Sequence, residues 1–254
     1  MTPLDNFAFV LVSPKASGNV GAAARALKNM GFADLRLVAP RDYDPRAAAA
    51  MAVHADDLLG RAAIFGDLGA ALADRTLTVG TTSRLDPYRA AARPLRAAAP
   101  DLIAAASANR VALVFGPEDF GLRNHEVAQC QRLITIPAAA AYPSLNLAQA
   151  VMVTAYELAM TAGASAPAPA AELADAAAVE AMQSRLAEAL VEIGFLPADN
   201  PGHIMHTLRA LMGRAGLHPR ELEILNGLAR QIRWFAEGGH ATLAAKRAAG
   251  RKLR

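Results

Sequence analysis

Three short segments of this 254-residue chain carry residue types that could do chemistry, and each directly follows a run of strand-forming residues. The first, Ser13–Arg25 (SPKASGNVGAAAR), is a glycine-bearing loop leading into a helical pattern. Backbone amides at such a helix start can hold an anion, and Arg25 lies further along the same segment. The second, Val111–Glu126 (VALVFGPEDFGLRNHE), places Gly-Pro immediately after a buried-type strand, with Glu118 and Gly121 close behind. Gly116 would let a ligand approach the backbone, Pro117 would stiffen the turn, and Glu118 could accept hydrogen bonds or orient a cation. The third, Ile134–Gln149 (ITIPAAAAYPSLNLAQ), ends a strand at Pro137 and runs through Pro143 to Ser144 and Asn146, ahead of a long helix. Ser144 there reads first as a helix cap, and Asn146 can equally be satisfied by backbone. Each segment also has a plain structural reading as a connecting turn, so none is decisive alone.

The elements that must hold these segments alternate in type. Apolar β-rich runs at 7–12, 35–38, 76–79, 111–115 and 133–136 are interleaved with helical patterns at 20–30, 47–59, 68–73, 94–106 and 146–161. Such alternation predicts an α/β layer built on a parallel sheet, which places ligands at the carboxyl ends of its strands. The stretch Gly163–Ala171 (GASAPAPAA) cannot continue a helix and reads as a linker. Beyond it only helical patterns remain, at 172–193, 202–215 and 219–237. In the last of these Leu222, Leu225, Ala229 and Ile232 form an apolar stripe, and Pro219 suits the first helical position. The expected organisation is therefore residues 1–162 as a catalytic-type domain, 163–171 as a linker, and 172–254 as a small all-helical domain.

Composition limits the function classes. With 54% hydrophobic and 19% charged residues the chain suits a sizeable globular core, and a formal charge of +3 says little about partners. Distribution says more, because seven basic residues (Arg230, Arg233, Lys246, Arg247, Arg251, Lys252, Arg254) face a single acid, Glu237, from position 230 onward. That tail is either a phosphate-seeking arm or a solvated end. A single cysteine, Cys130, forms no internal disulfide and fits a small core position in a reducing compartment. The six histidines are scattered singly, no metal-ligand spacing is evident, and no apolar run is long enough for a membrane span, so a cytoplasmic protein without a metal is expected. A nicotinamide-dependent oxidoreductase would explain a strand, a glycine loop and a helix, but G-x-G-x-x-G is absent and Ala39-Pro40-Arg41 stands where an acid is expected.

Together the three segments match a family pattern. Asn19, Gly21 and Arg25 in N-x-G-x-x-x-R, then LVFGPEDFGL, then IP…SLNLAQAV resemble the three motifs of the SPOUT superfamily, in its TrmH/SpoU branch of RNA ribose methyltransferases. The resemblance covers residues 5 to 162, and YPSLNLAQAV with AYEL and the later ILNGLARQIRW extends it toward bacterial tRNA (cytidine/uridine-2′-O)-methyltransferases. It implies a SPOUT-type parallel sheet with a C-terminal trefoil knot, a homodimer, and S-adenosylmethionine as cofactor. Periodicity alone would have indicated an unknotted sheet.

The implied substrate is a ribose 2′-hydroxyl of tRNA, at position 32 of the anticodon loop, with ribosomal RNA or a non-catalytic RNA-binding role as alternatives. By resemblance the cofactor lies against Thr81, Thr82, Ser83, Gly116, Ile136, Pro137, Ser144, Leu145 and Asn146. Arg25 takes the catalytic position, with Asn19 and Glu118 orienting it or the ribose, and with Ser144 or Asn146 at the hydroxyl. A guanidinium, with a pKa above about 12, surrenders no proton readily, so a cationic Arg25 would stabilise developing alkoxide. Phe120 departs from the polar or basic residue that relatives often carry there, and His125 beside it reads as an exposed helix-start residue. The dimer contact is expected from Ala22, Ala23 and Ala26 with Leu147 and Val151.

Overall fold

The computed structural model describes residues 2–84, 86, 89–164, 172–239 and 241. Lys246, Arg247, Arg251, Lys252 and Arg254, and most of the expected linker, lie outside the described residues.

Strands β1 (Phe7–Val12), β2 (Asp34–Val38), β3 (Ala63–Phe65), β4 (Leu77–Thr81), β5 (Arg93–Pro94), β6 (Val111–Phe115) and β7 (Arg132–Thr135) form one sheet in the order β3-β2-β1-β6-β4-β7-β5. Every neighbouring pair is parallel. Central parallel strands are covered on both faces, which is why FAFVLV and VALVF read as unbroken apolar runs rather than alternating ones. The alternation survives in which face each side chain enters. Phe7, Phe9 and Leu11 of β1 join Leu113 and Phe115 in one core layer, whereas Val10 and Val12 join Ala112 and Val114 in the other.

The first layer is closed by α1 (Ser17–Asn29), α5 (Leu95–Ala106) and α7 (Leu147–Ala164). Phe9 stacks on Phe115 with ring centroids 5.9 Å apart, and Phe32 packs edge-on against both Phe7 and Phe9. The second layer is closed by α4 (Leu68–Leu72) and α6 (Asn124–Val127) through Leu68, Leu72 and Val127.

The predicted helix at 47–59 is two helices, α2 (Pro45–Ala52) and α3 (Asp56–Arg61). The break falls at Val53 and His54, with φ of 36° and 65°, a left-handed turn that helical periodicity does not reveal. The short strands β3 and β5 also escape a reading based on apolar runs, because their residues are largely exposed at the sheet edges. In the other direction, α7 continues through Gly163 and Ala164, two residues expected in the linker.

Past residue 171 the chain is helical where described, with α8 (Ala176–Glu192), α9 (Gly202–Ala215) and α10 (Pro219–Trp234). Ala229 is buried, and Leu222, Leu225 and Ile232 pack with it against Val179, Met182 and Leu186 of α8, as the stripe predicts. Pro219 opens α10, while the Glu221 carboxylate accepts the His218 N–H at 2.9 Å. These helices also dock on the sheet. A Cβ at Gly213 of α9 would lie 2.4 Å from the Gln131 carbonyl oxygen, so glycine there permits backbone-to-backbone approach. The Leu173 N–H donates to Asn109 Oδ1 at 2.7 Å. No helix among the described residues is long and apolar enough to cross a membrane.

Candidate active site

Because β6, β4 and β7 are neighbours, the loops that follow them meet at the carboxyl edge of the sheet. They enclose a cavity of about 340 Å³. Its wall comprises Thr81, Thr82 and Ser83 after β4, Gly116 to Leu122 after β6, and Ile136, Pro143, Ser144 and Leu145 after β7. Leu147 and Ala150 of α7 close one side, and Arg84 and Arg89 add positive charge. A partly apolar, partly hydroxyl-bearing pocket of this size suits a nucleoside-sized ligand.

The loop after β6 owes its shape to its two glycines. Gly121 has φ of +64°, a conformation that favours glycine, and its N–H donates to the Pro117 carbonyl at 2.9 Å. A Cβ on Gly116 would lie 2.2 Å from both Gly121 C and Leu122 N. Gly116 lies on the cavity wall, and the space that a Cβ would take there is filled by its own loop. Gly21 in the first segment is similar. Its absent Cβ would fall 1.9 Å from the Ala48 carbonyl oxygen, so it allows α1 to pack on α2.

Glu118 joins the second segment to the first, and Asn19 carries the link to the third. Its carboxylate accepts Asn19 Nδ2 at 2.7 Å, the Lys15 N–H at 3.1 Å and the Ala16 N–H at 3.4 Å. The amides just before α1 therefore hold the chain's own Glu118 carboxylate. Burial by itself pushes this carboxyl upward, but the Asn19 amide and the backbone N–H groups outweigh it and hold the group below the usual carboxylate range. Asn146 Nδ2 in turn donates to Asn19 Oδ1 at 3.0 Å, which fixes the orientation of both amides.

Asn146 is also the cap of α7. Its Oδ1 accepts the Ala148 N–H at 2.9 Å, and its own N–H donates to Gln149 Oε1 at 3.3 Å. The capping role expected for Ser144 thus belongs to Asn146, and Ser144 is an exposed residue on the cavity wall.

The structure brings most of the predicted residues together, but not all of them. Asn146 and Pro137 do not line the cavity, and Asn146 acts from behind it through Asn19. Arg25 is exposed on α1, absent from the cavity wall, and without a hydrogen bond or ion pair among the described residues. Ala23, Ala26, Leu147 and Val151, expected at a dimer contact, are buried in the chain's own core. The outward stripe of α7 is instead Val153, Tyr156 and Met160, each at least 40% exposed.

Several residues were not foreseen. Arg89 is almost fully buried, donating to Leu122 O at 2.8 Å and to Asp86 Oδ2 at 2.6 Å, and so it ties the loop after β4 to the loop after β6. Arg41 and Arg123 approach the Phe120 ring, at 5.6 and 4.7 Å from its centroid. An aromatic at position 120 therefore orders two cations at the rim, and the departure from a polar residue has a structural use. Lys15 pairs with Asp119 beside them. His125 is exposed in α6, as expected, and burial together with Glu126 pushes the Cys130 thiol up to about 12, so it is no nucleophile. Arg233 is engaged by Glu192 at 3.1 Å and Glu188 at 3.7 Å, whereas Arg230 remains exposed.

Comparison with known proteins adds independent findings. Residues 6–156 match the SpoU rRNA Methylase family, and residues 177–246 match the tRNA methyltransferase TrmJ C-terminal domain. The tRNA (cytidine/uridine/adenosine-2′-O-)-methyltransferase TrmJ of Pseudomonas aeruginosa is 36% identical over 256 residues, covering 92% of this chain and 96% of that protein. The tRNA (cytidine/uridine-2′-O-)-methyltransferase TrmJ of Cronobacter sakazakii is 37% identical over 244 residues, covering 90% and 96%. The crystal structure of TrmJ from Z. mobilis ZM4 superposes with a TM-score of 0.76 at 33% identity, covering 89% of this chain and 98% of that one.

Proposed function

The chain belongs to the SpoU methylase family, and on that premise we propose that it methylates the ribose 2′-hydroxyl of a cytidine or uridine in tRNA. The observation that carries this reading is the hydrogen-bonded series Asn146–Asn19–Glu118, which ties the first motif segment to the two that wall the cavity. The tRNA class is favoured over ribosomal RNA because the second family match covers the C-terminal helices and the relatives named above act on tRNA. Position 32 of the anticodon loop is the target within this reading, and a tRNA substrate supports a cytoplasmic location.

The methyl donor is S-adenosylmethionine, which supplies an electrophilic methyl group when bound. The cavity fits it, because Ile136, Leu145, Leu147 and Ala150 offer apolar surface for a purine while Thr82, Ser83 and Ser144 offer hydroxyls for a ribose. Glu118, held ionised, keeps the loop after β6 and the start of α1 in register. The exposed Ser144 hydroxyl is placed to contact the ribose of the RNA. Arg25 stabilises the developing alkoxide and clamps the adjacent phosphate, and the proton leaves to phosphate or water.

Since Arg25 lies outside its own cavity, this role requires a second copy of the chain to bring it to the site. A homodimer paired through α1 and the Val153–Tyr156–Met160 stripe of α7 is thus part of the proposal. The same reading takes the strands β6, β4 and β7 and their loops as the trefoil-knotted part of the sheet.

Mass spectrometry of nucleosides from unmodified tRNA incubated with protein and cofactor tests the function. Methylated cytidine or uridine is expected, and methylation of ribosomal RNA alone would reject the tRNA assignment. Arg25→Ala should abolish transfer while leaving cofactor affinity nearly unchanged, and Arg25→Lys should rescue poorly because a point charge lacks the planar fork. Near-normal turnover by Arg25→Ala would end the catalytic assignment.

A further inference from the structure

A second cavity, of about 360 Å³, lies between the β7 edge of the sheet and α9. Among its lining residues are Arg93, Arg132, Arg209 and Arg214, with His206, against a single acid, Asp101. Two of the arginines are already committed. Arg209 makes a bidentate pair with Glu180 at 2.5 and 2.7 Å, and Arg93 donates to Asp101 at 2.6 Å. Arg132 and Arg214 have no hydrogen bond or ion pair among the described residues.

Arg132 is the unusual one. It is partly buried at the start of β7, and burial together with the neighbouring Arg93 destabilises its charge, with Asp101 offsetting only part. A guanidinium stays protonated in any protein, so this cost is relieved only by an anion. Burial, with Arg209, Arg89 and His203, also lowers the His206 value, which favours its neutral form.

The cavity also lies close to the first one. Arg89 lines the first and Ala91 the second, and two residues of chain span at most about 7 Å. An extended polyanion could therefore pass from one to the other.

We propose that this cavity seats a backbone phosphate of the RNA substrate, with Arg132 and Arg214 as its two principal donors. The inference rests on the RNA reading given above. It goes further by assigning a contact shared between the sheet edge and α9, so that RNA binding would clamp the C-terminal helices onto the catalytic layer. A paired charge-assisted contact from two guanidinium groups suits a phosphodiester better than a neutral ligand.

The test uses the full chain. Filter binding of unmodified tRNA would be measured across a range of KCl concentrations for the wild type, Arg132→Gln and Arg214→Gln. Calorimetry would report S-adenosylmethionine affinity for each protein. Each variant should bind tRNA about tenfold more weakly, with the salt slope shallower by about 0.7–0.9 per lost phosphate contact and cofactor affinity unchanged. Arg214 is exposed and unpartnered, so Arg214→Gln decides the matter if Arg132→Gln fails to fold. Wild-type affinity and slope in the variants would overturn the proposal. So would inorganic phosphate binding that depends on Arg132 while tRNA affinity does not, since the ligand would then be a small anion. Failure of the function reading looks different, because the wild type itself would then methylate no tRNA, whatever the variants bind.

Discussion

Glu118 receives three donors from the loop before α1 and from Asn19, and only a carboxylate can accept all of them. In Glu118→Gln only one of the two positions keeps an acceptor oxygen, so either the Lys15 N–H or Asn19 Nδ2 together with the Ala16 N–H must face the donating NH2 group. Methyl transfer by Glu118→Gln should fall on the order of tenfold, the rate equivalent of about 1.4 kcal/mol. The pH dependence has a definite sign. The folded-state value is depressed, so the contact stabilises the protein above the ordinary carboxylate value of about 4.3 and is lost as pH falls toward the lower folded value. Thermal midpoints measured from pH 6 down to pH 3 should therefore drop less steeply for Glu118→Gln than for the wild type. Parallel curves would remove Glu118 from the acid response.

At the scale of elements, the first motif combines a packing requirement with a chemical one. Gly21 is there for α2, while Asn19 is there for Glu118 and Asn146. Gly21→Ala would place a methyl against the Ala48 backbone, which cannot swing aside as a side chain can. The expected cost is about 2–3 kcal/mol, lowering the thermal midpoint by roughly 4–12 °C. Gly18→Ala, three residues earlier, would meet only the Met51 side chain at 3.4 Å and should be near neutral. Calorimetric scans of the two variants separate helix packing from a general need for glycine in this segment, and equal midpoints would refute the assignment. A second structural anchor is ionic. Arg36 and Arg75 converge on Asp34 and Asp74 across β2 and the turn after α4, and although burial opposes it the two guanidinium groups hold the Asp74 carboxyl well below its usual range.

For the whole molecule, the helices beyond residue 171 are tied to the sheet layer, and in the reading proposed above they also supply RNA contacts. Gly213 packs on Gln131, Leu173 bonds to Asn109, and the Ala176 N–H donates to Arg75 O at 2.5 Å. A chain ended at Gly163 loses these contacts, so its thermal midpoint should fall. It keeps every residue of the first cavity, so it should still bind S-adenosylmethionine. Its tRNA affinity should drop and its salt dependence should become shallower. Removing only 244–254 separates the basic tail from the helices, and the larger loss is expected from the helices, because a fixed surface selects one folded RNA among many. Full-strength tRNA methylation by the chain ended at Gly163 would contradict this division of labour.

Much of this architecture was legible in the sequence, and for a local reason. The five apolar runs mark five of the seven strands, because central parallel strands must be apolar throughout. The three motif segments stand at strand ends, so their convergence at one edge follows from a parallel sheet. Helical stripes such as Leu222, Leu225, Ala229 and Ile232 are likewise written in a period of 3.6 residues. What the sequence left undecided are relations between distant residues. That Glu118 accepts Asn19, or that Asn146 donates to Asn19, depends on partners 99 to 127 positions apart. The placing of Arg132 and Arg214 on the wall of one cavity and the docking of Gly213 on Gln131 are of the same kind. Periodicity reports which face of an element is buried, but not which distant backbone or charge it is buried against. Propensity places Gly116 in a turn and Asn146 at a helix start, whereas the Asn146–Asn19–Glu118 contacts form only when the loops close together over the sheet.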